Sequence, residues 1–148
     1  MPQNIWKNKI FLDTNIIVDI IDKNRTNHFY SVKLIELAIE NNIEIAISED
    51  MLTTVFYVVK DKNNVLNYLD YITKKWNIYH YGNELIKEAI NISLKQKVDL
   101  EDVLQCLCAK YNNCNIMITN DKKLYNCGIK IMTSKEFMEK FKNENSLI

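Results

Sequence analysis

Three aspartates stand where a carboxylate could do chemistry. Asp13 follows the apolar run Lys9-Ile10-Phe11-Leu12, and Asp121 closes Ile116-Met117-Ile118-Thr119-Asn120-Asp121. Asp102 ends the acidic tract Val98-Asp99-Leu100-Glu101-Asp102. Both apolar runs read as buried strands, and the acidic tract opens a helix just before the second of them. Open parallel sheets take ligands at the carboxyl ends of their strands. The spacing therefore predicts that the three carboxylates converge on one sheet edge. At ~4 Å each like-charged pair costs about 1 kcal/mol in water-like surroundings, and more where water is partly excluded. A cation offsets that repulsion. Oxygen ligands with no His or Cys beside them select Mg²⁺ or Mn²⁺ over zinc. Such an ion suits phosphate-ester hydrolysis, because it activates water and shields the charge growing on the phosphate. The plainer reading is that each residue is only a helix cap or a turn residue. The coincidence of all three at one edge favours chemistry.

The elements that must position these residues alternate along the chain. Lys9–Leu12 reads as a strand, and Asp13-Thr14-Asn15 opens a helix carrying Ile16, Ile17, Val18, Ile20 and Ile21. Residues 28–41 have helical apolar spacing, and Ile43-Glu44-Ile45-Ala46-Ile47 alternates as a second strand. Ser48 is expected to open a helix with Met51, Leu52, Val55, Phe56 and Val59 on one face, followed by another over 62–75. Asn77–Tyr81 reads as a third strand, 83–96 and about 100–111 as helices, and Ile116–Thr119 as a fourth strand. Lys130-Ile131-Met132 is a fifth, and Ser134 is expected to cap a last helix over 135–142, leaving 143–148 as a frayed tail. Alternating strands and helices predict an α/β fold, a three-layer α/β/α sandwich around a mainly parallel sheet of four to five strands. No repeat or Pro/Gly/Ser-rich linker divides the 148 residues, so one domain over 1–148 is expected, its core at about 9–141.

Composition narrows the function classes. With only 2 Gly and 1 Pro, collagen-like and low-complexity readings fail. No apolar run is long enough for a membrane span, and the start lacks the pattern of a secretory signal, so a cytoplasmic location is expected. The 19 basic residues balance the 19 acidic ones, so no strongly basic nucleic-acid footprint exists, although charge can segregate locally. Arg25 is the one arginine, which leaves lysines to meet phosphates as point charges. Cys106, Cys108, Cys114 and Cys127 lack zinc-ribbon or thioredoxin spacing and are expected to be reduced, structural thiols. His28 and His80 have no partner at metal-ligand spacing and read as surface or capping residues.

The ordered set resembles the PIN-domain family, VapC-like metal-dependent ribonucleases of an α/β/α fold. The resemblance begins at Ile10-Phe11-Leu12-Asp13-Thr14-Asn15 and continues at Asp99-Leu100-Glu101-Asp102-Val103-Leu104-Gln105. It closes with Ile116–Asp121, like the family's Thr-x-Asp signature, and with Gly128–Phe137, like its last strand and helix. It covers residues 9 to about 141. It implies metal-bound, catalytic carboxylates at Asp13, Asp102 and Asp121, held by Mg²⁺ or Mn²⁺. Asn15 and Thr119 would be polar supports, and Asp99 and Glu101 nearby spare acids. One departure stands out. Aligning Ser48 with the family's Ser puts Thr54 where most active members carry a Glu, and Thr53–Val59 resembles a subgroup with a smaller polar residue there. Glu49 and Asp50 are the acids nearby, about a helical turn too early.

Relatives of this size are often the toxin of a type II toxin–antitoxin pair, cutting RNA until a small antitoxin holds them. That implies an RNA substrate, an antitoxin partner and a homodimer. Lys122 and Lys123, directly after Asp121, and Arg25 are the foremost candidates for RNA phosphates, with Lys9, Lys60 and Lys62 behind them. Phe29, Tyr57 and Tyr125 could stack on bases, although core packing is the commoner use of aromatics at helical spacing. A catalytically weakened PIN-like binding module is the alternative, on the strength of Thr54. A phosphatase of the haloacid-dehalogenase kind also starts from an Asp after its first strand, but it wants a second Asp where Asn15 stands.

Overall fold

A computed structural model describes residues 8–121 and 125–146. The strands are β1 (Lys9–Leu12), β2 (Glu44–Ser48), β3 (Asn77–Tyr79), β4 (Ile116–Ile118) and β5 (Lys130–Met132). The helices are α1 (Thr14–Ile21), α2 (His28–Glu40), α3 (Asp50–Val58), α4 (Lys62–Lys75), α5 (Asn83–Gln96), α6 (Leu100–Tyr111) and α7 (Ser134–Ser146). All strand pairings are parallel, in the order β3-β2-β1-β4-β5. A parallel sheet covered on both faces needs strands that are apolar throughout. Phe11, Leu12, Ala46, Ile47, Met117 and Ile118 meet that need, each with no measurable exposure. The α5–α6 pair packs as one unit, while α2 packs on α1 and α7, and α3 on α1 and α4.

The strand order fixes the site. From β1 the chain steps outward through β2 to β3, then returns to lay β4 on the other side of β1. The order reverses between β1 and β4, and a crevice forms at the carboxyl ends of strands at such a switch. Asp13 continues that ladder past β1, its N–H donating to the Ile118 carbonyl at 2.9 Å.

Several local expectations are corrected. Ser48 ends β2 instead of opening a helix, is fully buried, and α3 begins at Asp50. The cap of α7 is Thr133: its Oγ1 accepts from Glu136 N–H (3.0 Å) while Glu136 Oε1 accepts from Thr133 N–H (2.9 Å). That reciprocal pair is a capping box, and the Glu three residues on selects Thr133 over Ser134. The helix continues to Ser146, past the expected end at 142.

The cysteines are not all free thiols. Cys106 and Cys127 form a disulfide, with Cα atoms 6.0 Å apart, while Cys108 and Cys114 remain free and buried. The return of the chain between β4 and β5 brings Cys127 beside α6, a proximity that no spacing motif announces. Burial pushes the Cys108 thiol up to about 12 and Cys114 to about 11, which keeps both protonated. Phe29 and Tyr57 are exposed, unlike core aromatics, whereas Tyr125 packs against the core.

Candidate active site

Asp13 is 8% exposed and is held on both oxygens. Its Oδ1 accepts from Thr14 N–H at 2.7 Å, which makes it the N-cap of α1. Its Oδ2 accepts from Thr119 Oγ1 at 2.7 Å and from Asn15 Nδ2 at 3.0 Å. The carboxylate thus caps α1 with one oxygen and takes two side-chain donors with the other. Burial pushes the Asp13 carboxyl above its usual range; the bonds from Thr119 and Thr14 oppose this, and the charge of Asp121 adds to it.

Asp121 reaches the same edge from β4. Its N–H donates to Thr119 Oγ1 at 3.0 Å, so one hydroxyl links the two acids. Asp102 lies in the first turn of α6, half-exposed, its N–H donating to Asp99 Oδ1 at 3.2 Å. Asp99 is therefore the N-cap of that helix. Partial burial, then the charges of Asp99, Asp13, Asp121 and Glu101, raise the Asp102 carboxyl to about 6. The Glu101 carboxyl is also raised, by partial burial first, then by Asp50, Asp13 and Asp99. These acids share one field. The N-termini of α1 and α6 both open here, and their partial positive ends offset part of the repulsion.

The donor set suits a hard cation. Among the described residues, no three acidic, histidine or cysteine side chains are close enough together to grip one ion directly. Mg²⁺ commonly keeps several waters and is bound through only one or two carboxylates, so acids ranged around an opening answer its demand. Gln105 adds a further oxygen. It is fully buried on α6, its Nε2 donates to Thr14 Oγ1 (3.2 Å) and Glu101 Oε1 (3.1 Å), and its Oε1 has no protein partner. A buried, unpaired acceptor beside clustered carboxylates calls for a water or a cation.

Thr54 lies half-buried on α3, its hydroxyl turned back to the Asp50 carbonyl at 3.4 Å. The Arg25 Nε donates to Asp19 Oδ1 at 2.9 Å, and its side chain is 41% exposed. Lys122 and Lys123 lie outside the described residues. Lys9 opens β1, four residues before Asp13 along the strand, and its ammonium is engaged by Tyr79 Oη (2.6 Å) and the Asn112 carbonyl (3.0 Å). Lys62 donates to the Val59 carbonyl (2.8 Å) just past the end of α3.

Asn120 is the supporting residue that the sequence did not reveal. Its Nδ2 donates to Asp19 Oδ2 (3.0 Å), and its Oδ1 accepts from Ser134 N–H (3.1 Å) and Oγ (3.2 Å). Its own N–H reaches Asn15 Oδ1 at 3.4 Å. One side chain thereby ties α1, the end of β4 and the start of α7 around Asp121. The sequence signal was an Asp at position 19 inside an otherwise apolar helix. A cleft of about 650 Å³ opens beside Asp121 toward β5, with Asn27, Asn126, Thr133 and Lys135 on its walls.

The chain matches the PIN domain family over residues 10–130. It is 36% identical over 137 residues to Ribonuclease VapC1 of Aquifex aeolicus, covering 90% of this chain and 95% of that one. Its fold is similar to VapBC2 of Rickettsia felis, solved with a DNA fragment from its promoter (TM-score 0.63, 21% identity, 84% of this chain and 98% of that one). A toxin–antitoxin complex from Klebsiella pneumoniae is similar too (TM-score 0.65, 19% identity, 86% and 98%). With that match spanning most of the sequence, and with Asp13 and Asp121 standing just past the ends of β1 and β4, the chain belongs to the PIN-domain family.

Proposed function

We propose that this protein is an endoribonuclease dependent on Mg²⁺ or Mn²⁺, acting in the cytoplasm as the toxin of a toxin–antitoxin pair. The observation that carries the reading is the Thr119 hydroxyl that joins the Asp13 carboxylate (2.7 Å) to the Asp121 N–H (3.0 Å) where β1 and β4 end, with Asp102 in the first turn of α6. The similarity to a named ribonuclease supports the substrate class, and the similarity to VapBC complexes supports an antitoxin partner.

Asp13, Asp102 and Asp121 would hold the ion. When bound, it supplies a Lewis acid that generates a nucleophilic water and shields the phosphate's growing charge. The protein's own part is positioning. Thr119 and Asn15 fix the Asp13 carboxylate, so no reorganisation is needed when substrate arrives. Asn120 fixes the backbone that carries Asp121. Lys135, on the wall of the adjoining cleft, provides positive charge for the RNA backbone, as Lys122 and Lys123 do by their place in sequence.

The test is cleavage of single-stranded RNA by purified protein with added Mn²⁺. Asp13→Asn is expected to abolish it while leaving the circular dichroism spectrum unchanged. Cleavage that persists both in EDTA and in this variant rejects the reading. Thr54 favours the alternative, a PIN-like module without catalysis that works through protein or RNA contacts. Calorimetric titration separates the two, because a dead module shows no saturable Mn²⁺ site.

A further inference from the structure

The α5–α6 pair packs as one unit and meets the sheet at β2 and β4. Asp102 rides on this unit, whereas Asp13 and Asp121 stand just past the ends of β1 and β4. The seating of α6 on the sheet therefore sets where Asp102 lies relative to the other two acids. On one side Gln105 Nε2 ties α6 to α1 by donating to Thr14 Oγ1 at 3.2 Å. On the other, α6 is tied to the return between β4 and β5. Lys110 Nζ donates to the Cys127 carbonyl at 3.3 Å, Cys127 N–H donates to Cys106 Sγ at 3.0 Å, and the Cys106–Cys127 disulfide adds a covalent link. Cys106 stands one helical turn after Asp102, so that link grips α6 beside the turn that carries the acid.

The two sulfurs differ in access. Cys106 is fully buried, and Cys127 is half-buried. A thiol arriving from solution meets Cys127, and Cys106 is the sulfur released. Cys108 and Cys114 are free but buried, and burial pushes their thiols up, so neither competes for exchange. Val103, Leu107 and Ala109 bury α6 in the core whether or not the sulfurs are joined. Loss of the bond thus loosens the seating of α6 without removing the helix from the fold. In the cytoplasm proposed above, lasting structural disulfides are rare, and those that form are mostly transient and redox-sensing.

We propose that Cys106 and Cys127 form a redox switch on the cleavage site: the disulfide clamps the helix that carries Asp102 against the sheet, and the dithiol lets it shift. The inference rests on the endoribonuclease reading above and names the regulation of that same site. The oxidant is a low-molecular-weight disulfide such as oxidised glutathione. The Cys127 thiolate attacks one of its sulfurs and expels a small thiolate, leaving a mixed disulfide. The Cys106 thiolate then attacks the Cys127 sulfur and expels the second small thiolate. Each cysteine gives up one proton and each expelled thiolate takes one up. Two protein thiols and one small disulfide thus yield one protein disulfide and two small thiols, and excess small thiol runs the sequence backwards. The oxidised form is the competent one.

The experiment equilibrates the full chain in reduced or in oxidised glutathione and verifies the state of the cysteines by mass after alkylation. Cleavage of single-stranded RNA with Mn²⁺ and amide hydrogen exchange are then measured in each state. Reduction is expected to lower cleavage roughly tenfold to hundredfold, as small displacements of a catalytic group do, with the circular dichroism spectrum unchanged. Exchange in α6 is expected to quicken on reduction. Cys127→Ser is expected to match the reduced parent in both buffers, and Cys114→Ala to switch as the parent does. Failure of the disulfide to form in oxidised glutathione overturns the switch. So does cleavage by the reduced parent that equals or exceeds that of the oxidised one, or a redox response that persists in Cys127→Ser; each of these leaves the endoribonuclease reading intact. A parent that cleaves RNA in neither state overturns that reading and the switch with it.

Discussion

Thr119 Oγ1 donates to Asp13 Oδ2 at 2.7 Å while accepting from the Asp121 N–H at 3.0 Å. A single buried hydroxyl therefore links the Asp13 carboxylate to the backbone of Asp121. Thr119→Val keeps the shape and removes both bonds. It is expected to cost about 1–3 kcal/mol of stability in urea denaturation, since the Asp13 oxygen loses a donor and the Asp121 N–H loses its acceptor. Cleavage is expected to fall roughly tenfold to hundredfold, as when a ligand's supporting bond is removed. Unchanged stability and cleavage would show that the hydroxyl positions neither acid.

The Asp102 carboxyl, at about 6 against 3.8 for the free residue, makes the metal-free fold pH-sensitive. The raised value means the folded protein holds the proton more tightly than the unfolded chain. This group's favourable contribution is complete below pH ~4 and is lost as pH rises through ~6. In EDTA, Asp102→Asn is expected to match the parent's stability near pH 4 and exceed it at pH 7. With Mn²⁺ the order reverses, because the ion needs the carboxylate, and its stabilisation of the parent grows from pH 5 to pH 7. Melting temperatures at these pH values, with and without Mn²⁺, decide it. A parent–variant difference independent of pH contradicts the assignment.

Arg25 is a test of structure against substrate binding. Asp19 is buried, and its two oxygens take Arg25 Nε and Asn120 Nδ2. Arg25→Gln leaves a buried carboxylate with weaker compensation and is expected to cost about 1–3 kcal/mol in urea. RNA affinity measured on the folded variant is expected to fall if the exposed part of the guanidinium also meets phosphate. Full stability in the variant would remove the structural role.

The disulfide joins α6, which carries Asp102, to the segment between Asp121 and β5. Closing a loop between residues 21 apart is expected to stabilise the fold by about 3 kcal/mol. Dithiothreitol should lower the urea midpoint of the parent by the corresponding amount and leave that of Cys106→Ala unmoved. A reductant effect of equal size in both proteins would place the sensitivity elsewhere.

Much of the protein is legible without coordinates. Apolar runs ending in Asp13 and in Thr119-Asn120-Asp121 mark two strand ends, and helical spacing marks α2, α4, α5 and α6, because burial imposes a fixed period on local sequence. The α/β layering and the parallel sheet follow from that alternation. Boundaries held less well: Ser48 looked like a helix cap by type, whereas parallel pairing with Tyr79 keeps it in β2. Serine at a strand end and serine at a helix start present the same side chain, and only the neighbouring strand distinguishes them.

Sequence alone determined that Asp13 and Asp121 stand just past the ends of β1 and β4, since an apolar run stops where strand burial stops. Tertiary structure decided which polar groups hold them. Asp50 meets Tyr81, Asn120 meets Asp19, and Cys106 meets Cys127 across 31, 101 and 21 residues. Such pairs obey no period. They exist because separate elements, each placed by its own apolar face, bring side chains into contact that neither segment specifies alone.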